Sequence, residues 1–250
     1  MIPKIIHFVW VGGKPLNEMA EKCIASWKKY CPDYEIKRWD ESNFDISENK
    51  YCKEAYDNKK WAFVSDYIRL RVLYEFGGIY MDTDVEVVKP LDGFLNLPAF
   101  SGFESEKEIP TGIIAAEKNN LWIKNLLDDY VGRHFVKEDG TLDYTTNVTL
   151  ITENTKKQFP NLQLNNTLQE LRDVTFFPKD YFCPLSYKDR KLHKTNNTYT
   201  IHWFNGSWVP KQTFAQKCSG CIKAICRVLL GKRLYAKIKN KIRKTKKQEK

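Results

Sequence analysis

The segment WAFVSDYIRLRVLYEFGGIYMDTDVEVVKP, residues 61–90, restricts the fold of this chain more than any other. Trp61, Val64, Ser65, Ile68, Val72 and Phe76 recur at helical spacing, which predicts a helix over 61–78 with these residues facing inward. Asp66 and Arg69 lie three apart and so share one edge of that stripe. Gly77-Gly78 ends the helix, Ile79-Tyr80-Met81 predicts a short strand, and Val85 to Val88 resumes extended structure. Asp82 and Asp84 stand between the two extended pieces. Carboxylates are costly to bury and repel each other at close range, so two of them one residue apart need a reason. A solvated turn is one reason; a divalent cation held by hard oxygen ligands is another. Position favours the cation, because ligands of open α/β sheets bind outside the carboxyl ends of strands. A surface hairpin would more often carry Asn-Gly or Asp-Gly, and residues 79–90 contain neither.

The flanking chain fits the same architecture. Ile5 to Val11 predicts a buried strand ending at Gly12-Gly13, followed by a helix through Leu16, Met19, Ala20, Cys23 and Trp27, and a strand from Tyr34 to Trp39. Strand–helix–strand alternation predicts α/β structure with parallel pairing. Further on, Ala99 to Phe103, Ile113 to Ala116, Val174 to Pro178 and Tyr199 to Phe204 are expected strands, and Leu121 to Arg133 an expected helix.

With 250 residues and 42% apolar content, the chain can bury a full core. The net charge of +10 is confined to one end. Residues 1–210 carry 27 Lys+Arg against 30 Asp+Glu, whereas 211–250 carry 14 against the single Glu249. A mildly acidic body argues against a nucleic-acid-binding surface. The expected division is therefore a mildly acidic folded body over 1–210 and a basic tail over 211–250. The N-terminus reads as a first strand rather than an export leader, and no run reaches the roughly 20 apolar residues of a spanning helix. Seven scattered cysteines then fit reduced thiols in a cytoplasm, and the CxxC of Cys218 and Cys221 lacks a nearby fourth zinc ligand. The sequons at Asn147, Asn165, Asn196 and Asn205 are read as incidental.

Two carboxylates plus an imidazole suit Mn²⁺ or Mg²⁺, with Mn²⁺ more tolerant of nitrogen. His202, in the last expected strand, is the candidate imidazole. Such a cation would act as a Lewis acid on a diphosphate. Trp10 could stack on a nucleobase, Arg69 could pair with phosphate or sugar oxygens, and Ser207 and Trp208 offer two donors to a pyrophosphate. Each has a plainer alternative: Trp10 as core, Asp66–Arg69 as a surface ion pair of little worth, His202 as a structural histidine. Their joint occurrence in one order is what favours a site.

IPKIIHFVWVGG, WAFVSDYIRLRVLYEFGGIYMDTDVEVVKPL and IHWFNGSW together resemble the DXD-containing glycosyltransferases of capsular and other surface polysaccharide synthesis. That group includes yeast Golgi initiating mannosyltransferases and, more distantly, the catalytic domains of clostridial glucosylating toxins. The resemblance covers roughly 2–95 and 198–209. It implies a GT-A type, Rossmann-like mixed sheet flanked by helices, a nucleotide-sugar donor, a divalent metal and retention of anomeric configuration. By position it implies that Trp10 stacks on the base, and that Asp66 and Arg69 hold the transferred sugar, with Arg69 also near the phosphate. Tyr80 would line the donor pocket. Asp82 would meet ribose, sugar or metal-bound water, Asp84 and His202 would ligate the metal, and Ser207 and Trp208 would close over the diphosphate. Asp82, Asp84 and Arg69 would form the catalytic group. The chain departs from the pattern at Thr145-Thr146-Asn147, where such enzymes often show Thr-Gly-Pro.

The tail places Cys218, Cys221, Ile222, Ile225 and Leu229 on one helical stripe, continued by Leu234, Ile238 and Ile242, with Lys and Arg elsewhere. A basic amphipathic helix suits an anionic membrane surface. The expectation is a retaining hexosyltransferase, with a UDP-hexose donor and a glycan or lipid-linked acceptor, peripheral at the inner face of a cell membrane. Two other classes compete with this reading: a non-catalytic, membrane-associated carbohydrate-binding protein, and an Asp-based phosphatase. The phosphatase motif normally wants Thr or Val two places past its second Asp, where this chain has Glu86.

Overall fold

A computed structural model describes residues 1–109 and 112–205. The expected tail, with Ser207 and Trp208, lies outside the described residues. The elements in order are β1 (Ile5–Val9), α1 (Glu18–Tyr30), β2 (Glu35–Trp39), α2 (Lys50–Asp57), α3 (Trp61–Phe76), β3 (Gly78–Met81) and β4 (Val85–Val87). They continue with β5 (Ala99–Gly102), β6 (Ile113–Ala116), α4 (Leu121–Asp128), α5 (Asn147–Gln158), β7 (Gln169–Glu170), β8 (Thr175–Phe177), α6 (Lys179–Phe182) and β9 (Thr200–His202).

Seven strands form one sheet in the order β2-β1-β3-β6-β5-β8-β7, and β4 and β9 form a separate two-stranded ribbon. Pairing is parallel for β1 with β2 and β3 and for β5 with β8; β6 runs antiparallel to both β3 and β5. The sheet is thus mixed, as expected, and its inner strands β3, β5 and β6 are buried throughout, the pattern of a sheet covered on both sides. Residues alternate between two cores. Ile6, Phe8, Ile79, Met81, Ile113 and Ala115 face one with Cys23, Ile24 and Trp27 of α1. Tyr80, Ile114 and Ala116 face the other with residues of α2, α3, α4 and α5.

The central helix α3 differs from its expected stripe. Phe63, Tyr67, Leu70 and Leu73 are buried along with Val64, Ile68 and Val72, whereas Trp61, Ser65 and Phe76 are only partly buried. The helix is wrapped on most sides, because α2 and α4 pack against it in addition to the sheet. Asp66 and Arg69 are consequently buried, not a surface pair. At the helix end, Gly77 and Gly78 adopt φ of +69° and +106°, and a Cβ on Gly78 would meet Ile5 O at 2.7 Å. Glycine is required there to turn the chain from α3 directly into β3. Beside this turn His7 is fully satisfied: Trp39 Nε1 donates to its Nδ1 at 3.0 Å, so Nε2 carries the hydrogen and donates to Gly77 O at 2.8 Å. Burial holds the ring neutral, with its pKa pushed down to about 4.

Candidate active site

The acidic loop is fixed by backbone on both sides. Asp82 N donates to Gly112 O at 2.9 Å, which pins its first residue to the start of β6, and Val85 N donates back to Asp82 O at 3.0 Å. β4 then pairs with β9 in a register that sets Val85 against His202, and Trp203 N donates to Asp84 O at 2.9 Å. Trp27 Nε1 of α1 donates to Val85 O at 2.7 Å, tying the ribbon to the body. Residues nearly 120 positions apart are thereby brought together.

Asp82, Asp84 and His202 each present a ligand atom, all within 4.8 Å of one another. His202 Nε2 lies 3.3 Å from Asp84 Oδ1. The other Asp84 oxygen accepts Asn205 N at 2.8 Å. Burial pushes the Asp84 carboxyl up, but His202 and the Asn205 N–H more than offset it and hold it below the usual carboxylate range. Burial would likewise lower His202; Asp84 and the adjacent Cys183 instead hold it well above the ordinary imidazole value. Asp82 is raised, by burial first and further by the charge of Asp84, against the opposing pull of Arg69. Two neighbouring carboxylates, a ring nitrogen within 4.8 Å of both and a repulsion left partly uncompensated form an N/O donor set that fits Mn²⁺ or Mg²⁺.

Behind this trio, one guanidinium links two carboxylates. Arg69 Nη2 lies 3.0 Å from Asp66 Oδ1 and 3.2 Å from Asp82 Oδ1, and its side chain is 4% exposed. Its plane sits over the Tyr80 ring at 4.6 Å, and Nε donates to Ser65 O at 3.2 Å. Tyr80 OH donates to Asp82 Oδ1 at 2.8 Å. Tyr80 thus orients the acidic loop from beneath. Burial pushes the Asp66 carboxyl up to about 6 despite Arg69.

The structure brings Asp66, Arg69, Tyr80, Asp82, Asp84 and His202 together. Trp10 lies just past the carboxyl end of β1, half-buried, with Nε1 donating to Lys14 O at 2.7 Å. Asn147 was missed. As the first residue of α5, capped by Thr146, it donates Nδ2 to Asp66 Oδ1 at 3.1 Å. Asn205 and Gly112 were also missed. Two of the four sequon asparagines therefore have a place at the site, and the departure at Thr145-Thr146-Asn147 was the available signal for one of them. Gly112 lies against the imidazole: a Cβ there would come 2.9 Å from His202 Nδ1.

Residues 17–103 match the family model described as glycosyltransferase sugar-binding region containing DXD motif. The chain is 33% identical over 129 residues to inositol phosphoceramide mannosyltransferase 3 of Schizosaccharomyces pombe, covering 49% of this chain and 35% of that protein. It is 28% identical over 209 residues to lactosylceramide 4-alpha-galactosyltransferase of Mus musculus, covering 79% of this chain and 50% of that one. The chain so spans between a third and a half of the length of these two relatives. Among solved structures, the PaToxG glycosyltransferase aligns with a TM-score of 0.52 at 24% identity, over 64% of this chain and 70% of that one, which shows a shared fold.

Proposed function

We propose that the protein is a metal-dependent, retaining hexosyltransferase, a reading supported by the match of residues 17–103 to the glycosyltransferase sugar-binding region containing DXD motif and by the fold shared with a solved glycosyltransferase. The donor is a nucleotide sugar, UDP-galactose or UDP-glucose ahead of GDP-mannose, and the acceptor is a glycan or lipid-linked oligosaccharide. The observation that carries this is the convergence of Asp82, Asp84 and His202 within 4.8 Å, with Arg69 against Asp82. Both named relatives transfer a hexose, as their names say, and both names put the acceptor on a ceramide lipid. One of them makes an α linkage, which supports retention because UDP-galactose is itself α-linked.

Asp84 and His202 would ligate Mn²⁺ or Mg²⁺, with Asp82 as a third ligand or as partner to ribose and metal-bound water; the cation would supply Lewis-acid stabilisation of the departing diphosphate. Arg69 adds fixed positive charge where negative charge develops, and it needs no reorganisation because Asp66, Ser65 and Tyr80 already hold it. Asp66 and Asn147 form a polar pair suited to hydroxyls of the transferred sugar. Trp10 supplies an aromatic face for the base, and Ser207 and Trp208 supply donors to the diphosphate. No nucleophile is assigned: acceptor and leaving phosphate meet on one face of the sugar. The basic stretch 211–250 is proposed to hold the enzyme at an anionic membrane, at the cytoplasmic face, near a lipid-linked acceptor. Among the described residues no helix is long and apolar enough to cross a membrane.

The test is release of UDP or GDP from a panel of nucleotide sugars with Mn²⁺ present. Turnover of a UDP-hexose that chelator abolishes is expected; chelator-insensitive release, or full activity in Asp84→Ala, overturns the metal mechanism.

A further inference from the structure

His202 turns Nε2 toward Asp84, and its other ring nitrogen, Nδ1, is sealed from solvent with no hydrogen bond of ordinary length and angle among the described residues. Orphaned buried nitrogens are commonly satisfied by an ordered water, which needs room and polar partners. Here the space beside the ring, lined by Val85, Gly112, Ile113, Phe182 and Cys183, is too tight for a water molecule. Val85, Ile113 and Phe182 bring only carbon side chains to it, and Gly112 brings none. The sulfur of Cys183 is the one side-chain heteroatom these neighbours supply. Cys183 is buried at 1% exposure, and its N–H donates to Lys179 O at 2.8 Å, at the end of α6. Its spacing from the imidazole is set by the fold, since Thr200 Oγ1 donates to Phe182 O at 2.8 Å and so locks the start of β9 to the residue before Cys183.

We propose that Cys183 is a positioning residue of the cation site: its Sγ accepts the hydrogen on His202 Nδ1, which fixes the ring's tautomer and orientation and keeps the Nε2 lone pair directed at the cation shared with Asp82 and Asp84. The inference rests on taking that trio as a cation site. Metal-binding imidazoles have their second N–H held by an outer partner, usually a carboxylate, carbonyl or water. A thiol is a weaker acceptor than these. It has one advantage here, because it adds no further negative charge beside two carboxylates.

The test uses the full chain, stripped of metal, with Mn²⁺ affinity read by isothermal titration calorimetry and folding checked by circular dichroism. Cys183→Val removes the acceptor and still excludes water, with a side chain larger than cysteine's by about one carbon, and Cys183→Ala removes the acceptor without adding bulk. The valine variant is expected to weaken Mn²⁺ binding by about 10–100-fold, while Cys183→Ser, which restores an acceptor, stays within about threefold of the unmodified protein. Should Cys183→Val fail to fold, Cys183→Ala carries the same expectation. Valine or alanine binding Mn²⁺ within about threefold of the unmodified protein, or serine weakening it as much as valine, overturns the role of Cys183. If the unmodified protein binds no Mn²⁺ at all, the cation site itself falls, and this inference with it.

Discussion

Arg69 and Asp82 meet at 3.2 Å between Nη2 and Oδ1, a bond from the middle of α3 to the first residue after β3. The same nitrogen is 3.0 Å from Asp66 Oδ1, so one buried cation stands between the buried Asp66 and the partly buried Asp82. Removing it leaves Asp66 to the Asn147 amide and Asp82 to the Tyr80 hydroxyl, neither of which carries a charge. Arg69→Met is expected to destabilise the fold by about 3–5 kcal/mol, measured by urea unfolding. Arg69→Lys keeps the charge but not the planar fork, and should retain more stability while lowering kcat by about 10²–10³-fold in a UDP-release assay.

Asp84→Asn removes one charge of the proposed cation site with almost no change of shape, and the new amide oxygen can still accept from Asn205 N–H. The folded protein should persist by circular dichroism, with Mn²⁺ binding weakened more than about 100-fold, beyond what loss of an outer partner produces.

Gly112→Ala tests the same centre without touching a charge. The added Cβ would come 2.9 Å from His202 Nδ1 and must push the ring aside. Mn²⁺ affinity should fall in calorimetry, together with the transfer rate. Unchanged affinity would mean that the imbedded imidazole position does not matter to the cation.

Asn147→Ala takes a hydrogen bond from Asp66, which is worth about 1.5–3 kcal/mol when one partner is charged. The prediction is a matching loss in transition-state stabilisation, roughly 10–100-fold in kcat/KM, with Mn²⁺ affinity unchanged because Asn147 touches neither Asp84 nor His202.

His7 sets a pH dependence of stability separate from the site. Its pKa falls from 6.5 to about 4 on folding, through burial. The unfolded chain therefore binds more protons between those values, and stability rises with pH across that window. The contribution is complete above pH 6.5 and is lost as pH falls toward 4, amounting to about 3 kcal/mol. Urea midpoints from pH 4 to 7 should show this rise, and His7→Gln should flatten it.

Much of the site was legible because it rests on local signals. Gly77-Gly78 marks the end of α3, three apolar residues make β3, and the DXD loop follows at the strand's carboxyl end. His202 could be nominated by residue type, but its placement depends on the pairing of β4 with β9, which no local spacing encodes. α5 was missed because Asn147, Thr149, Thr152 and Thr155 read as loop-forming residues; packing of Ile151 and Thr155 against α4 and its Trp122 overrides that weak propensity. The inward stripe of α3 was drawn too narrow for a different reason. A helix enclosed on most sides loses the period that an exposed face would have imposed.

The ribbon of β4 and β9 also carries an order of events. While the ribosome is still making the first two hundred residues, Asp82 and Asp84 already exist, but the strand that brings the imidazole has not been synthesised. Until it arrives the acidic loop is open on one side, and Trp203 and Asn205 cannot yet hold Asp84. On the proposed reading, affinity for a cation should therefore appear abruptly, and only once β9 has been made and paired with β4.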